Sequence, residues 1–353
     1  MFWDLKRPLL VLAGIAGLTP LAGAQQLYFE RLPSAMLAVT PPAERVSGEP
    51  GAMRVLETSC SAESSPEGAR QRIVDIAVQE WAYFGFSVAD ETVEREQRGG
   101  FSGRPRFTRG FTWHEVEESR RLAGSIAGYW AITGDGSWIL SRQNEVWNGS
   151  GVGARWRDPW SAAFISWVMC ESGFGDESQF DRAIAHHTYI DQAIRARDQN
   201  RAGTAYVAYD VGEVPIEPGD LVCSARRPTY DTLAERRQQL GNGIRSHCDF
   251  VVKLEPDRSR VLAIGGNVRG SVSLKLLPAE FVGATGAGPE VLSIGRGGDR
   301  VFAHLKLRAN PVEGDAFLMA PTLRMLGASP DLFDGVKAAL ERAVRYLSES
   351  VLL

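Results

Sequence analysis

The spacing of apolar residues changes along the chain, from a helical period in the first half to short strand-like runs in the second. Before about residue 200, apolar side chains recur every three or four positions, which predicts helices. We expect four of them, over about 71–84, over 113–131, from Asp158 onward, and over 183–197. The Gly-rich segments TGDGSW and WNGSGVG are predicted turns between the second and third helices.

The second half of the chain predicts a sheet. The runs PGDLVCSA, HCDFVVKL, RVLAIGGNV and GSVSLKLL are short and separated by turn residues, and DRVFAHLKLRA predicts a further strand. Helices followed by an antiparallel sheet are typical of the α+β class. From Ser329 the helical spacing returns, so we expect an amphipathic helix to close the chain.

The N-terminus has the pattern of a signal peptide. Lys6 and Arg7 precede a short apolar core, and the small residues at 22–24 predict cleavage before Gln25. The alternative, a membrane anchor, is disfavoured because the apolar stretch is short and Pro20 interrupts it. We therefore expect a periplasmic or secreted protein with no stable membrane span. Its parts are a signal peptide (1–24), a Pro/Ser-rich arm (25–70), one domain (71–310) and a C-terminal extension (311–353).

Charge and cysteine content narrow the function classes. The net charge of −4 over 353 residues, with scattered Lys and Arg, gives no footprint for nucleic acid. The four cysteines, in an exported chain without a CxxC motif, favour disulfides over a metal site. Three pairings are possible, and the sequence alone leaves them open. Nothing in the sequence indicates a cofactor.

The segment DPWSAAFISWVM (158–169) places a serine in the first turn of a predicted buried helix. Asp158 is a favourable N-cap residue, and Pro159 is favoured at the first helical position. Unpaired backbone N–H groups and the positive end of the helix dipole meet at such a start and stabilise a developing anion. Ser161 is therefore either a polar residue beside a cap or a candidate nucleophile.

A nucleophile needs a base, and the base needs an orienting group. His247 begins one predicted strand and Asn267 ends the next. With a turn near Asp257, residue 253 pairs with 261, and the same register places His247 opposite Asn267. Directly opposed residues share a sheet face, so we expect the two side chains to be neighbours. A slip of one residue would separate them.

Four segments in this order, PWSAAFISWVMCESG, PGDLVCSARR, HCDFVV and IGGNV, resemble a family of exported bacterial proteins known only as a domain of unknown function. That family is in turn similar to papain-like cell-wall hydrolases of the NlpC and CHAP types. The resemblance covers roughly residues 70–310 and implies a papain-like core. In those hydrolases a cysteine occupies the position of Ser161, while His247 and Asn267 match the base and the polar third residue.

The resemblance implies two competing functions, because a serine replaces the cysteine. In the first, Ser161 attacks an amide bond of a peptidoglycan-type peptide, His247 transfers the proton, Asn267 orients the imidazole, and the helix start supplies the oxyanion hole. In the second, catalysis is lost and the groove binds a cell-wall peptide or a protein partner, since a hydroxyl is harder to deprotonate than a thiol. A structural envelope protein is a third interpretation.

Other side chains are candidates for lining the same cleft. Trp160 flanks Ser161 and could form a wall. Adjacent residues on a helix point in different directions, so His186 and His187 cannot both face the site. The resemblance favours His186. Asp249 shares the face of His247 by strand alternation, so it either supports His247 or is an ordinary paired acid. No spacing of Cys, His or carboxylate residues supports a metal site.

The predicted strands suggest one arrangement of disulfides. Cys223 and Cys248 lie in strands that we expect to be adjacent, and alternation places Cys248 on the face away from His247. A bridge between them would join the strands without touching the site. Cys60 with Cys170 would then tie the N-terminal arm to the helix that carries Ser161.

Overall fold

The computed structural model describes residues 29–60, 67–93, 107–108, 116–227, 229–283 and 290–328. The predicted signal peptide, residues 113–115 of the second predicted helix and the C-terminal amphipathic helix from Ser329 lie outside these ranges. The described helices are α1 (Ser34–Leu37), α2 (Ala69–Tyr83), α3 (Val116–Ala131), α4 (Gly136–Ser150), α5 (Ser161–Glu171), α6 (His186–Asp198), α7 (Leu233–Arg237), α8 (Ala316–Met319) and α9 (Pro321–Ala328).

The strands form a large mixed sheet and a small ribbon. They are β1 (Val46–Ser47), β2 (Arg54–Val55), β3 (Ser87–Asp90), β4 (Phe107–Thr108), β5 (Tyr206–Tyr209), β6 (Leu221–Arg227), β7 (Arg245–Glu255), β8 (Arg260–Val268), β9 (Ser271–Val282), β10 (Glu290–Ile294) and β11 (Val301–Leu307). Among the described strands, the large sheet runs β4-β3-β9-β8-β7-β6-β11-β5, with β10 beside β9, while β1 pairs with β2. Within this part of the chain only β3 and β9 pair in parallel. The α+β class is confirmed.

Helix α5 lies at the centre of the helical layer. All eleven of its residues are buried, because it is enclosed by α2, α3 and the strands β7 and β8. A helix that is apolar on every side belongs in a core rather than on a surface. Its neighbour Gly266 on β8 is a glycine for a steric reason, since an added Cβ would lie 2.5 Å from the Cβ of Phe164. The helix start that carries Ser161 is therefore held rigidly against the sheet.

One long helix, α4, and the short helices α1, α7, α8 and α9 were not predicted from the sequence. Helix α4 begins within the first predicted turn (133–138) and ends within the second (147–153), and it buries Ile139, Leu140, Gln143 and Trp147, which recur at helical spacing. Glycines near both ends of this helix led to the prediction of turns, so the helical spacing of its apolar residues was overlooked. The five predicted strands correspond to β6, β7, β8, β9 and β11, and the predicted helices 71–84 and 183–197 correspond to α2 and α6.

The segment 29–60, part of the predicted Pro/Ser-rich arm, packs against the rest of the described chain. Arg31 forms two hydrogen bonds of 2.5 and 2.7 Å with the buried carboxylate of Glu80. Farther along, the buried Arg45 pairs with Glu171 at the end of α5. A Cβ added at Gly128 of α3 would lie 1.8 Å from the carbonyl oxygen of Pro42, so the backbones touch. Specific ion pairs and close packing fix a segment whose composition alone resembles a linker.

Two disulfides join Cys60 to Cys170 and Cys223 to Cys248, which confirms the predicted pairing. Cys223 and Cys248 are directly paired residues of β6 and β7. Disulfides of this kind suggest an extracellular or periplasmic protein. Within the described ranges, no helix has the length and apolar character needed to cross a membrane.

Candidate active site

Ser161 is the first residue of α5, and its helix start differs in detail from the prediction. The first intrahelical bond runs from the Phe164 N–H to the carbonyl of Trp160, which is the N-cap residue. Asp158 does not cap the helix, because its carboxylate lies 3.6 Å from the guanidinium of Arg142. The N–H groups of the first turn and the positive end of the helix dipole still meet at Ser161.

The hydrogen-bond partner of Ser161 is His186. Its Nε2 lies 2.7 Å from Ser161 Oγ, so the two residues form a direct serine–imidazole contact. His186 is the first residue of α6, which means that the N-termini of two helices meet at this point. Ser161 is 9% exposed and His186 is 4% exposed, so the contact is largely shielded from water.

The other ring nitrogen of His186 is held by a tyrosine. His186 Nδ1 forms a short hydrogen bond with the hydroxyl of Tyr189, three residues along α6. Burial, reinforced by the neighbouring His247, lowers the pKa of His186 well below its usual value. Burial, together with the charge of Asp249, raises the pKa of Tyr189 well above its usual value. The imidazole and the phenol are therefore both uncharged near neutral pH.

A second histidine lies against the first. The rings of His186 and His247 form an edge-to-face contact with centroids 5.2 Å apart. His247 Nε2 is 2.8 Å from Oδ1 of Asp249, so this imidazole is fixed by a carboxylate two residues along β7. The expectation that Asp249 lies beside His247 is confirmed.

Asp249 is itself paired with a buried lysine. Lys275 Nζ on β9 donates to Asp249 Oδ2 at 3.0 Å and lies 3.4 Å from a carboxylate oxygen of Glu91. Burial alone would raise the pKa of Asp249, but His247 and Lys275 hold it well below its usual value. Burial alone would lower the pKa of Lys275, but Asp249 and Glu91 raise it. The site thus contains a fixed buried ion pair behind the two imidazoles.

Space for this ion pair depends on Gly265 of β8. A Cβ added there would lie 1.8 Å from Asp249 Oδ1 and 3.0 Å from His247 Nε2. No side chain larger than hydrogen fits without displacing the carboxylate. The consecutive glycines of IGGNV therefore have separate functions, since Gly265 accommodates Asp249 and Gly266 accommodates Phe164.

The predicted pairing of His247 with Asn267 does not form. Lys253 pairs with Leu262, one residue away from the predicted partner 261. A bulge then restores the predicted register, but the described pairing between β7 and β8 ends at Phe250 and Ile264. Asp249, rather than Asn267, holds His247. Asn267 has a backbone φ of 56°, a left-handed conformation that asparagine tolerates well, at a register shift before the β8–β9 turn.

The structure also corrects two other predictions, the histidine partner of Ser161 and the location of Trp160. Ser161 pairs with His186, which was predicted to line the cleft, and not with His247, which was predicted as the base. Trp160 is only 2% exposed and packs against Phe84 and Tyr129, with ring centroids 5.7 and 5.8 Å away. It is therefore a core residue rather than a cleft wall, because the helix start turns its indole inward.

Two site residues that the sequence analysis did not identify, Tyr189 and Gly265, could have been found from their local sequence. Tyr189 lies three positions after His186 in a predicted helix, and residues with that spacing are neighbours on a helix face. The glycine at position 265, inside a predicted strand, indicates a close approach of another group. Lys275 and Glu91 had no such signal, because Lys275 reaches Asp249 across the sheet and Glu91 reaches Lys275 from a distant part of the chain.

The fold and the site together define an α+β protein with a buried serine–histidine pair at the meeting point of two helix starts. Residues 117–305 match the model of a family described as an uncharacterized protein conserved in bacteria (DUF2272). Because the match covers more than half of the 353 residues, the chain belongs to this family. No curated protein and no solved structure matches the chain. The matched region includes Ser161, His186 and His247.

Proposed function

We propose that this protein is an exported hydrolase in which Ser161 is the nucleophile and His186 is the general base. The observation that carries the proposal is the 2.7 Å contact between Ser161 Oγ and His186 Nε2. A base must be unprotonated to accept a proton, and burial keeps the pKa of His186 low enough for that. The resemblance to NlpC and CHAP hydrolases supports a papain-like core and an amide bond of a peptidoglycan-type peptide as the substrate.

In the proposed reaction, Ser161 Oγ forms a bond to the substrate carbonyl carbon while its proton passes to His186 Nε2. The C–N bond then breaks, and His186 returns the proton to the departing nitrogen. Water hydrolyses the acyl ester by the same proton transfers in reverse order. The N–H groups at the start of α5 are suited to stabilise the oxyanion.

This reaction requires one tautomer of His186. With the proton on Nδ1, that N–H donates to the oxygen of Tyr189 and leaves Nε2 free to accept from Ser161. Tyr189 therefore orients the base without adding a charge. The nearby negative charge of Asp249 favours a protonated His186, so it would stabilise the imidazolium formed during the reaction.

A second candidate is a catalytically inactive papain-like domain that binds a cell-wall peptide or a protein partner. Two observations favour it. Ser161 is only 9% exposed, and its histidine is oriented by a neutral tyrosine, whereas the carboxylate of Asp249 binds His247. Without a direct carboxylate partner, the imidazolium would gain less stabilisation than in a Ser–His–Asp triad.

A digestion assay distinguishes the two candidates. The chain from Gln25 is incubated with purified peptidoglycan, and new amino groups are measured alongside labelling by a fluorophosphonate probe. We expect Ser161→Ala to abolish both signals and His186→Gln to reduce them by at least about 10³-fold. Ser150→Ala, an exposed serine at the end of α4, is the matched control and should retain full activity.

Each result of these assays favours one of the two candidate functions. Product formation that is unchanged in Ser161→Ala would exclude Ser161 as the nucleophile. Binding of peptidoglycan fragments by the wild type without product or labelling would favour the inactive binding domain. His247→Gln tests the predicted base, because an effect as large as that of His186→Gln would return the base function to His247.

A further inference from the structure

A second concave site lies at the end of α6 opposite to His186. It is a cavity of about 440 Å³ between the 177–181 loop, the C-terminal half of α6 and the segment 201–204. This volume is within the range of small-molecule sites in proteins. Its charged lining residues are Glu177, Asp181, Arg195 and Arg201.

The charges in this cavity are balanced, and within the described residues only Glu177 of the four has an ion-pair partner, Arg182 at 3.8 Å. Within the described residues, the guanidinium groups of Arg195 and Arg201 form no hydrogen bond or ion pair. The carboxylate of Asp181 likewise has none, although Arg195 is near enough to influence its pKa, which burial and Glu177 raise. Opposite charges that face one cavity without direct contact leave space for a ligand between them.

The walls of the cavity are held in position by hydrogen bonds that do not use these charges. Gln192 accepts from the Asp181 N–H at 2.9 Å and donates to the carbonyl oxygens of Glu177 and Ser178 at 2.9 and 3.3 Å. Arg308 donates to the carbonyl of Arg201 and to Thr204 Oγ1 on the opposite wall. The charged groups are therefore mounted on fixed backbone, which lowers the entropic cost of binding.

We propose that this cavity binds a small zwitterion, either an amino acid or a short peptide with free termini. Arg195 and Arg201 would bind its carboxylate, and Asp181 and Glu177 its ammonium group. Two groups of each sign favour a ligand with both charges, because a simple anion or cation would be repelled by one pair. Arginine is well suited to a carboxylate, since its planar guanidinium can donate two parallel hydrogen bonds.

The site is separate from the Ser161 site and does not depend on its chemistry. Arg195 is nine residues after His186 on α6, which corresponds to about 14 Å along the helix axis. Loss of binding here would say nothing about the proposed hydrolase, and loss of hydrolysis would say nothing about this cavity.

The test is a calorimetric titration of the full chain with alanyl-alanine, compared with the same dipeptide acetylated at its N-terminus and amidated at its C-terminus. We expect binding of the free dipeptide and weak or no binding of the capped one. Arg195→Gln and Asp181→Asn each remove one charge-assisted contact, so each should weaken binding roughly tenfold. Acetate and methylammonium, as single charges, should bind more weakly than the dipeptide.

Arg226→Gln is the matched control, because this exposed arginine pairs with Asp299 away from the cavity. It should bind the dipeptide as the wild type does. Arg201→Gln, at an exposed position, provides a cavity variant that should fold normally even if Arg195→Gln does not. No binding of the free dipeptide, equal binding of the capped dipeptide, or undiminished binding in the folded cavity variants would each overturn the proposal.

Discussion

Ser161 Oγ and His186 Nε2 lie 2.7 Å apart, and each residue is the first of its helix. The contact is therefore fixed because both helices pack on β7, and not by neighbouring positions in the chain. At such a junction, dipoles from two helix starts favour negative charge and disfavour a protonated imidazole. The first effect suits a serine that becomes an anion, whereas the second keeps the resting imidazole neutral and leaves stabilisation of the imidazolium to Asp249.

The first prediction concerns pH and His186. Because burial lowers the pKa of the folded His186, the unfolded chain binds a proton below about pH 6.5 that the folded chain does not. The contribution of this residue to the free energy of unfolding should therefore decrease as the pH falls below about 6.5. Urea unfolding measured from about pH 8 to pH 5 should show a weaker pH dependence in His186→Gln than in the wild type. Identical slopes would contradict the lowered pKa.

The second prediction concerns the buried lysine. Lys275→Met removes one partner of the Asp249 carboxylate and leaves that charge buried with less compensation. We expect the free energy of unfolding to fall by about 3–5 kcal/mol. Lys253→Met is the matched control, because the Lys253–Asp315 pair is partly exposed and should contribute less than about 1 kcal/mol. Equal losses in the two variants would mean that the buried ion pair has no special structural role.

The third prediction tests the space at Gly265. Gly265→Ala places a Cβ against Asp249 and His247, so one of these side chains must move. We expect a loss of about 1–3 kcal/mol of stability and a changed histidine signal in the NMR spectrum. Gly149→Ala, at an exposed helical site where an added Cβ meets nothing within 4 Å, should instead stabilise the chain slightly. An unperturbed His247 resonance in Gly265→Ala would contradict the predicted clash.

The fourth prediction compares the two disulfides. Their half-cystines are 110 residues apart for Cys60–Cys170 and 25 for Cys223–Cys248. Since a longer closed loop restricts the unfolded chain more, removing the first bridge should cost about 1.3 kcal/mol more than removing the second. Thermal and urea unfolding of the two paired Cys→Ala variants provides the comparison. A larger loss for the Cys223–Cys248 variant would show that strain or packing outweighs the effect of loop length.

The sequence predicted five of the nine described strands of the large sheet but, apart from Asp249 beside His247, not the contacts of the site. β7 and β8 are long runs of apolar and β-branched residues, and their pattern was sufficient to find them. The bulge between Val251 and Lys253 changes the register locally and had no signal in the apolar pattern. This bulge returns the strands to the predicted register, but their pairing ends at Phe250 and Ile264, so the predicted pairing of His247 with Asn267 was wrong.

By itself, the sequence determined the class of fold and the helix start at Ser161, because these depend on local periods. The predicted order of adjacent strands suggested, without deciding, that Asp249 lies beside His247 and which cysteines pair. Only the tertiary structure decided which histidine contacts Ser161. The start of α6 reaches Ser161, 25 residues away in the chain, because both helices pack on β7, and Lys275 reaches Asp249 across the sheet. Contacts between elements depend on how side chains fill the core, and no local period in the chain records that arrangement.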